Sequence, residues 1–347
     1  MKSTQNISGT TSRERIAGLD TLRFFAAISV MFAHLLSPLL PGYFNQFPLL
    51  LPISEYSRYI FTGGPAVIVF FVISGFCIHF PYRNRTLPTI PFLIARWLRI
   101  SIPMIIAYFL AQAADLKAYN IIDGFILWSV VCELVYYSIY PLLLLLSQKT
   151  GWAKIFVGSL IVSTLLLLFL GSDEYGNIHV YGFYLNWLIL LPCWLIGVIL
   201  AHNYGNNTER QPGRLELWLL RLTIALLASI LTYLTLKTRI GYYITLIPYS
   251  FVCFFWLRAE LRLFPNRSPN PILESLGKFS YSIYLFHVIG AAFLSLIIMH
   301  YQIKPFRTFM TVTLVFGMCY LFYLSVEKPA HILSRRIFAR LSKVSGL

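Results

Sequence analysis

The sequence predicts an all-α, polytopic integral membrane protein with about ten transmembrane helices. Its 347 residues are 58% hydrophobic and 12% charged, with a mean hydropathy of +0.70, whereas soluble domains carry about 25% charged residues. The apolar residues occur in unbroken blocks of about 20, which is the length that crosses a hydrocarbon core about 30 Å thick. This pattern excludes a soluble globule, and it excludes the alternating strands of about 10 residues that build a membrane barrel.

Ten apolar segments are separated by charged residues or by Pro, Gly and Asn. They cover residues 20–40, 60–80, 97–114, 121–146, 153–171, 180–201, 216–236, 241–257, 280–300 and 307–326. The first segment has an arginine within its start and a histidine in its interior, and no small-residue cleavage site follows it. It is therefore predicted to remain in the protein as a span and not to be removed as a secretory signal.

The distribution of Lys and Arg predicts the orientation. With a cytoplasmic N-terminus, the inner segments hold 22 of the 28 Lys and Arg residues, so the positive-inside rule places both termini in the cytoplasm. We expect a cytoplasmic tail at 1–15, a membrane-embedded domain at 16–330 and a basic cytoplasmic tail at 331–347. Because topology accounts for most of the +15 net charge, we expect no nucleic-acid partner.

Ionisable side chains within apolar segments are costly and often mark functional sites. In the first segment, Arg23 and His34 are 11 residues apart, which places them on one helix face about 16 Å apart along the axis. Asp20 precedes Arg23 by three residues and can orient its guanidinium. His34 is then a candidate general base near mid-membrane. The alternative is a snorkelling arginine and a histidine that is hydrogen-bonded within the bundle.

The fourth segment carries Glu133, which shares one helix face with Tyr136, Tyr137 and Tyr140. A carboxylate at this depth needs a partner. It either pairs with an arginine or a hydroxyl in a structural role, or it orients His34 or binds a hydroxyl substrate.

The ninth segment places Ser280, Tyr284 and His287 on one helix face. Hydroxyls between membrane helices also serve as packing contacts, so this face is either a functional surface or an interface. In the second segment, Ser74 and Gly75 permit either a close helix approach or the passage of a narrow ligand.

Four arginines lie around the start of the third segment. Arg96 and Arg99 are i, i+3 neighbours at a predicted cytoplasmic helix entrance, where two guanidiniums can grip a phosphate. Arg83 and Arg85 precede them, and all four also satisfy the positive-inside rule. The sequence contains no P-loop, dinucleotide, HExxH or GxSxG motif and no Cys/His metal spacing, so we predict no bound metal or cofactor.

Taken together and in order, these motifs resemble the acyltransferase-3 family of bacterial membrane acyltransferases over nearly the whole chain. The matching segments are Leu19-Asp20-Thr21-Leu22-Arg23 followed by His34, Phe70-Phe71-Val72-Ile73-Ser74-Gly75-Phe76, Arg96-Trp97-Leu98-Arg99-Ile100 with Pro103, Trp128-Ser129 with Glu133, Ser280-Tyr281-Ser282-Ile283-Tyr284-Leu285-Phe286-His287, and Glu327-Lys328-Pro329.

The resemblance implies a multi-pass protein of the bacterial inner membrane with ten core helices. It implies acyl-CoA, usually acetyl-CoA, as a cytosolic co-substrate and transfer to a hydroxyl of a surface or extracytoplasmic carbohydrate or glycolipid. Arg23 and His34 match the family's Arg-x10-His signature, Arg96 and Arg99 its RxxR signature, and Glu133 its acidic residue after Trp-Ser. The acceptor and the oligomeric state have no signature in the sequence.

In the expected mechanism, the membrane separates the cytosolic acyl donor from the acceptor. Arg96 and Arg99, with Arg83 and Arg85, hold the CoA phosphates, Arg23 also belongs to the acyl-CoA site, and the thioester reaches His34. Either His34 acts as a general base, with its tautomer fixed by Glu133 or a tyrosine, or the acyl group rests on His34 or a hydroxyl before transfer. The alternative function is a proton-coupled transporter or a lipid or glycolipid flippase.

Overall fold

The structure is a computed structural model that describes residues 16–120, 125–170, 182–205, 211–238, 240–264, 269–298 and 304–344. Within these ranges the chain forms α-helices and short 3-10 or π segments and no strand, which confirms the all-α class. The α-helices are α1 (Leu19–Leu35), α2 (Leu40–Phe44), α3 (Gly63–His79), α4 (Thr89–Ala113), α5 (Leu127–Thr150), α6 (Trp152–Leu170), α7 (Gly182–His202), α8 (Arg214–Lys237), α9 (Tyr242–Leu263), α10 (Pro271–Gly277), α11 (Ser280–Ile298), α12 (Lys304–Phe322) and α13 (Lys328–Val344).

Each of the ten predicted apolar segments coincides with a long helix, and only α2, α10 and α13 lie outside them. Eight helical stretches of the described residues are long and apolar enough to cross a membrane, and α1 and α11 are the two long helices not among these. The architecture is that of a polytopic membrane protein.

Two predicted helix boundaries were wrong in ways that affect the site. Helix α1 ends at Leu35 and not near residue 40, because Pro38 disfavours helical geometry at Ser37 and the Ser37 amide turns back to the Phe32 carbonyl. Helix α4 begins at Thr89, eight residues earlier than predicted, with Pro91 in its first turn, where proline is tolerated. Arg96 and Arg99 therefore lie about two and three turns inside α4 and not at its entrance.

Helices α3 and α7 are in backbone contact at the centre of the bundle. A Cβ atom added to Gly75 would lie 2.1 Å from the carbonyl oxygen of Trp194, and one added to Gly197 would lie 2.0 Å from that of Val72. Of the two interpretations of Ser74 and Gly75, the structure supports the close helix approach for Gly75.

Gly75→Ala is expected to destabilise the protein strongly, because a methyl group cannot share space with a backbone carbonyl. Overpacking typically costs about 1–3 kcal/mol, and here the two helices must separate. Thermal unfolding of the purified protein in detergent measures the effect. Gly158→Ala in α6 is the matched control, since no atom lies within 4 Å of the added Cβ. Equal stability of the two variants would contradict the packing argument.

Helix α10 is joined to the start of α1. Glu274 accepts hydrogen bonds from the Thr21 amide at 2.9 Å and the Thr21 hydroxyl at 2.7 Å, which satisfies one of the free N–H groups in the first turn of α1. A Cβ atom on Gly277 would lie 1.9 Å from the Asp20 carbonyl oxygen. The cytoplasmic end of α1, as predicted from the charge distribution, is thus held in place by α10.

The predicted basic tail at 331–347 is helical as far as Val344. Helix α13 packs along α4, and the buried Ser334 hydroxyl donates a 2.6 Å hydrogen bond to the Ala95 carbonyl oxygen. A π-helical segment, Tyr323–Glu327, joins α12 to α13. The predicted N-terminal tail at 1–15 lies outside the described residues.

Candidate functional site

A cavity of about 570 Å³ lies among α1, α3, α4, α5, α11 and α13, which is a volume typical of small-ligand sites. Its described lining includes twice as many Lys and Arg residues as carboxylates. The cations are Arg23, Arg96, Arg99, Lys278, Lys328 and Arg335, and the acids are Asp20, Glu133 and Glu327. This excess of positive charge suits an anionic ligand.

Three of the predicted arginines meet in this cavity. Arg23 forms a 3.3 Å ion pair with Asp20, as the i, i+3 spacing predicts. The Arg96 guanidinium lies 5.8 Å from the centre of the Tyr137 ring, and Arg99 is within electrostatic range of both Arg96 and Arg23. Because guanidiniums hold phosphates in bidentate geometry, this cluster can bind a phosphorylated ligand.

Arg83 and Arg85 do not line the cavity, contrary to their expected role. The Arg83 Nη1 donates a 2.5 Å hydrogen bond to the Tyr204 carbonyl oxygen, and its guanidinium stacks 4.6 Å from the centre of the Phe80 ring. Arg85 is exposed outside the cavity. The turn that carries these two residues directs them away from the ligand space.

Glu133 faces the cavity but does not contact His34. Its Oε1 accepts hydrogen bonds from Ser74 Oγ at 2.7 Å and from the Tyr137 hydroxyl, and Trp194 Nε1 donates to Ser74 at 3.3 Å. The prediction that Glu133 fixes the imidazole tautomer is wrong, because these bonds hold the carboxylate between α3 and α5. It instead faces the ligand space with Ser74 and Tyr137.

The other tyrosines of the predicted Glu133 face have different surroundings. Tyr136 packs against Trp194 with ring centres 5.5 Å apart, and the Tyr140 hydroxyl lies 3.0 Å from His79 Nδ1. The i, i+3, i+4, i+7 pattern therefore covers a wide arc in which only Glu133 and Tyr137 line the cavity.

His34 and His287 form a hydrogen-bonded pair between α1 and α11. His34 Nδ1 lies 2.8 Å from His287 Nε2, and the two rings are parallel within 3°. His287 Nδ1 lies 2.9 Å from the carbonyl oxygens of both Ile283 and Tyr284. Since carbonyl oxygens only accept, His287 carries its proton on Nδ1 and its Nε2 accepts from His34 Nδ1–H. When both histidines are neutral, the unprotonated nitrogen of His34 is therefore Nε2.

This nitrogen lies at the end of α1. His34 is the penultimate residue of the helix, and its Nε2 would be 4.0 Å from a Cβ atom on Gly63, the first residue of α3. Its ring also contacts Phe125. The histidine thus lies at the ends of two helices and not midway along a span, because Pro38 shortens α1.

Tyr284 contacts both the cavity and the histidine pair. Ser129 and Tyr284 line the cavity, and their hydroxyls lie 2.7 Å apart. The Tyr284 ring packs edge-on against Phe70, while its backbone carbonyl is bonded to His287. Neither histidine lines the cavity, so Tyr284 is the residue that connects the basic chamber to the base.

The family model described as an acyltransferase domain, Acyl_transf_3, matches residues 16–326. The chain belongs to the acyltransferase-3 family. A comparison with curated proteins found no match, and neither did a comparison with solved structures. Membership in the acyltransferase-3 family confirms the resemblance, identifies a multi-pass membrane acyltransferase, and favours an enzyme over a transporter or flippase.

The acyltransferase-3 motifs divide between two places. Arg23, at the start of the Arg-x10-His signature, lies in the basic cavity, and His34, at its end, lies outside the cavity and pairs with His287. Ser280 lines the cavity near the start of α11, whereas His287 lies two turns further on. One face of α1 and one face of α11 therefore both run from the cavity to the histidine pair.

The residues that close the cavity after α12 had no predicted role, although Glu327-Lys328-Pro329 is one of the segments that match the acyltransferase-3 family. Glu327 is buried and accepts hydrogen bonds from Ser282 N at 3.0 Å and Ser282 Oγ at 2.5 Å. Lys328, His331 and Arg335 on α13 complete this wall. The signal in the sequence is an acidic residue directly after an apolar segment, but the Lys and Arg residues beyond it also satisfy the positive-inside rule.

Proposed function

We propose that this membrane acyltransferase moves an acyl group, acetyl in the first instance, from acyl-CoA on the cytoplasmic side to a hydroxyl of a surface or extracytoplasmic carbohydrate. The enzyme would act as a multi-pass protein of the bacterial inner membrane. The observation that carries the proposal is the hydrogen-bonded histidine pair, because it presents His34 Nε2 as a base of fixed tautomer.

The basic cavity supports acyl-CoA as the donor. The phosphates of CoA match the cation excess at Arg23, Arg96 and Arg99, and the pantetheine arm is slender enough to extend from there towards Tyr284. The thioester would approach His34 past Tyr284, whose side chain lines the cavity and whose carbonyl oxygen bonds to His287. Arg83 and Arg85 have no part in this donor site.

The transfer is a direct acyl transfer from the thioester to the acceptor hydroxyl. His34 Nε2 takes the proton of the acceptor hydroxyl while the hydroxyl oxygen attacks the thioester carbonyl carbon. The carbon–sulfur bond then breaks, and the proton passes from His34 to the CoA sulfur. His287 stabilises the transient imidazolium because its Nε2 continues to accept from His34 Nδ1–H, as an orienting acceptor does in other base-catalysed acyl transfers.

Thiol release from acetyl-CoA tests the proposal directly. Purified protein is incubated with acetyl-CoA and a panel of acceptors that includes O-antigen, exopolysaccharide, peptidoglycan fragments and small glycosides. Mass spectrometry of glycans from cells with and without the protein identifies the group and the acceptor. Unchanged glycans together with no acceptor-dependent thiol release would reject the proposed reaction.

Replacing both Arg96 and Arg99 by alanine is expected to raise the KM for acetyl-CoA and to leave the acceptor KM unchanged. Hydrogen bonds to charged groups contribute about 1.5–3 kcal/mol, so the double variant should lose about 10- to 100-fold in donor affinity. Arg85→Ala removes an exposed arginine outside the cavity and serves as the control. A donor KM equal to that of the control would leave the pair with a topological role alone.

A further inference from the structure

Helix α13 gives the donor cavity a second cationic wall. Lys328, His331 and Arg335 are spaced by three and four residues, which places them on one helix face, and all three line the cavity. They lie beyond residues 16–326, the range of the family match. Lys328 belongs to the matching segment Glu327-Lys328-Pro329, whereas His331 and Arg335 lie outside every matching segment.

Hydrogen bonds to other helices hold α13 in position. The Ser334 hydroxyl, buried between α13 and α4, bonds to the Ala95 carbonyl oxygen. Just before α13, Glu327 accepts two hydrogen bonds from Ser282 of α11. The π-helical segment that ends at Glu327 belongs to a class of distortion that is frequent at functional sites.

The acids of the cavity are already engaged by other groups. Asp20 pairs with Arg23, Glu133 accepts from Ser74, and Glu327 accepts from Ser282. Lys278, at the C-cap of α10, adds a further cation to the lining. The α13 side of the cavity is thus a positively charged surface that suits phosphate groups.

The two sets of cations differ in depth. Arg96 and Arg99 are half-buried beside Tyr137, whereas Arg335 is exposed and still lines the cavity. Arg335 therefore marks the rim. Acyl-CoA is asymmetric in a matching way, because its bulky 3′-phosphoadenosine lies at one end and its slender pantetheine arm at the other.

We infer that Lys328, His331 and Arg335 bind the phosphates of the nucleotide end of acyl-CoA, while Arg96 and Arg99 act deeper, where the pantetheine arm begins. This inference rests on the proposed function and adds the residues that select the nucleotide. A donor truncated to acyl-phosphopantetheine lacks the group that the α13 wall binds.

Equilibrium binding of radiolabelled donors tests the inference without any acceptor. The protein is reconstituted in phosphatidylcholine nanodiscs, and acetyl-CoA is compared with acetyl-phosphopantetheine. The Lys328→Gln/Arg335→Gln double variant is expected to bind acetyl-CoA about tenfold more weakly, which is the loss of roughly one charge-assisted hydrogen bond. Its affinity for acetyl-phosphopantetheine should change less than about twofold, since that ligand makes no contact with α13.

Two further variants separate charge from folding. Arg336→Gln removes the same charge from an exposed residue of α13 that does not line the cavity, and it should bind both donors as the wild type does. Arg335→Lys keeps the cation and should retain most of the affinity for acetyl-CoA. Loss of both ligands by the double variant would indicate a damaged fold and overturn the assignment.

Three other outcomes of the binding experiment would each overturn the inference. Unchanged acetyl-CoA affinity in the double variant would overturn the inference and leave the proposed function intact. A wild type that binds neither donor would refute the proposed donor and the inference with it. An effect seen only after phosphatidylglycerol is added to the nanodiscs would assign the wall to anionic lipid headgroups and overturn its assignment to the donor.

Discussion

His34→Ala is expected to abolish most acyl transfer while leaving the protein folded and able to bind acyl-CoA. Removal of a general base typically lowers the rate by about 10²–10⁴-fold. Donor affinity should be preserved because His34 does not line the cavity that holds the cations. Turnover with acetyl-CoA and acceptor, measured together with donor binding and the unfolding temperature, separates these effects.

His202→Ala is the control for this substitution. His202 is an exposed histidine at the end of α7, where its Nδ1 lies 3.4 Å from His79 Nε2. It is distant in sequence from both His34 and His287. Its replacement should leave turnover near the wild-type value. If a well-folded His34→Ala protein kept that value as well, His34 would have no role as base, and attention would move to Glu133 and Tyr137.

His287→Leu is expected to lower turnover by about 10²–10³-fold, because His34 Nδ1–H then loses its acceptor and the base loses its fixed tautomer and orientation. His287→Gln should recover much of the rate. A glutamine side-chain carbonyl can take the place of Nε2 and accept the same hydrogen bond. Neither change removes a cavity residue, so the KM for acetyl-CoA should stay constant while kcat changes.

The pair of His287 variants distinguishes positioning from packing. A histidine needed only to fill space between α1 and α11 would be replaced better by leucine than by glutamine in both stability and activity. Equal turnover of the leucine and glutamine variants would contradict the tautomer argument. A fall in donor affinity would show that the pair is coupled to the cavity in a way that the geometry does not indicate.

Local sequence patterns were sufficient for the fold class and for part of the site. Long apolar blocks specify membrane helices because backbone groups in hydrocarbon must bond within the helix. The i, i+3 relation of Asp20 and Arg23 is equally local, and the structure contains that ion pair. The cation cluster of Arg23, Arg96 and Arg99 followed from family motifs that the helices bring together.

Contacts between distant helices could not be read in the same way. The partner of His34 is 253 residues away, and nothing in the spacing of either helix favours His287 over Glu133 as that partner. The roles of Arg83 and Arg96 differ only because a turn directs Arg83 to the Tyr204 carbonyl. The Lys and Arg residues of α13 follow the positive-inside rule whether or not they also bind a ligand, so charge counting cannot identify them as part of the cavity.

The backbone contact between α3 and α7 has a mechanical consequence for how ligands enter. Gly75 holds the backbone of α3 against that of α7, and its neighbour Ser74 lines the cavity. This wall of the cavity is therefore rigid. A motion that admits a bulky donor must then come from another wall of the cavity. Helix α1 is itself in backbone contact with α10 at Gly277, whereas α13 is bonded to α4 through the Ser334 side chain, so α13 is the wall that can move. The α3 and α7 pair would then stay fixed while the moving wall admits the donor.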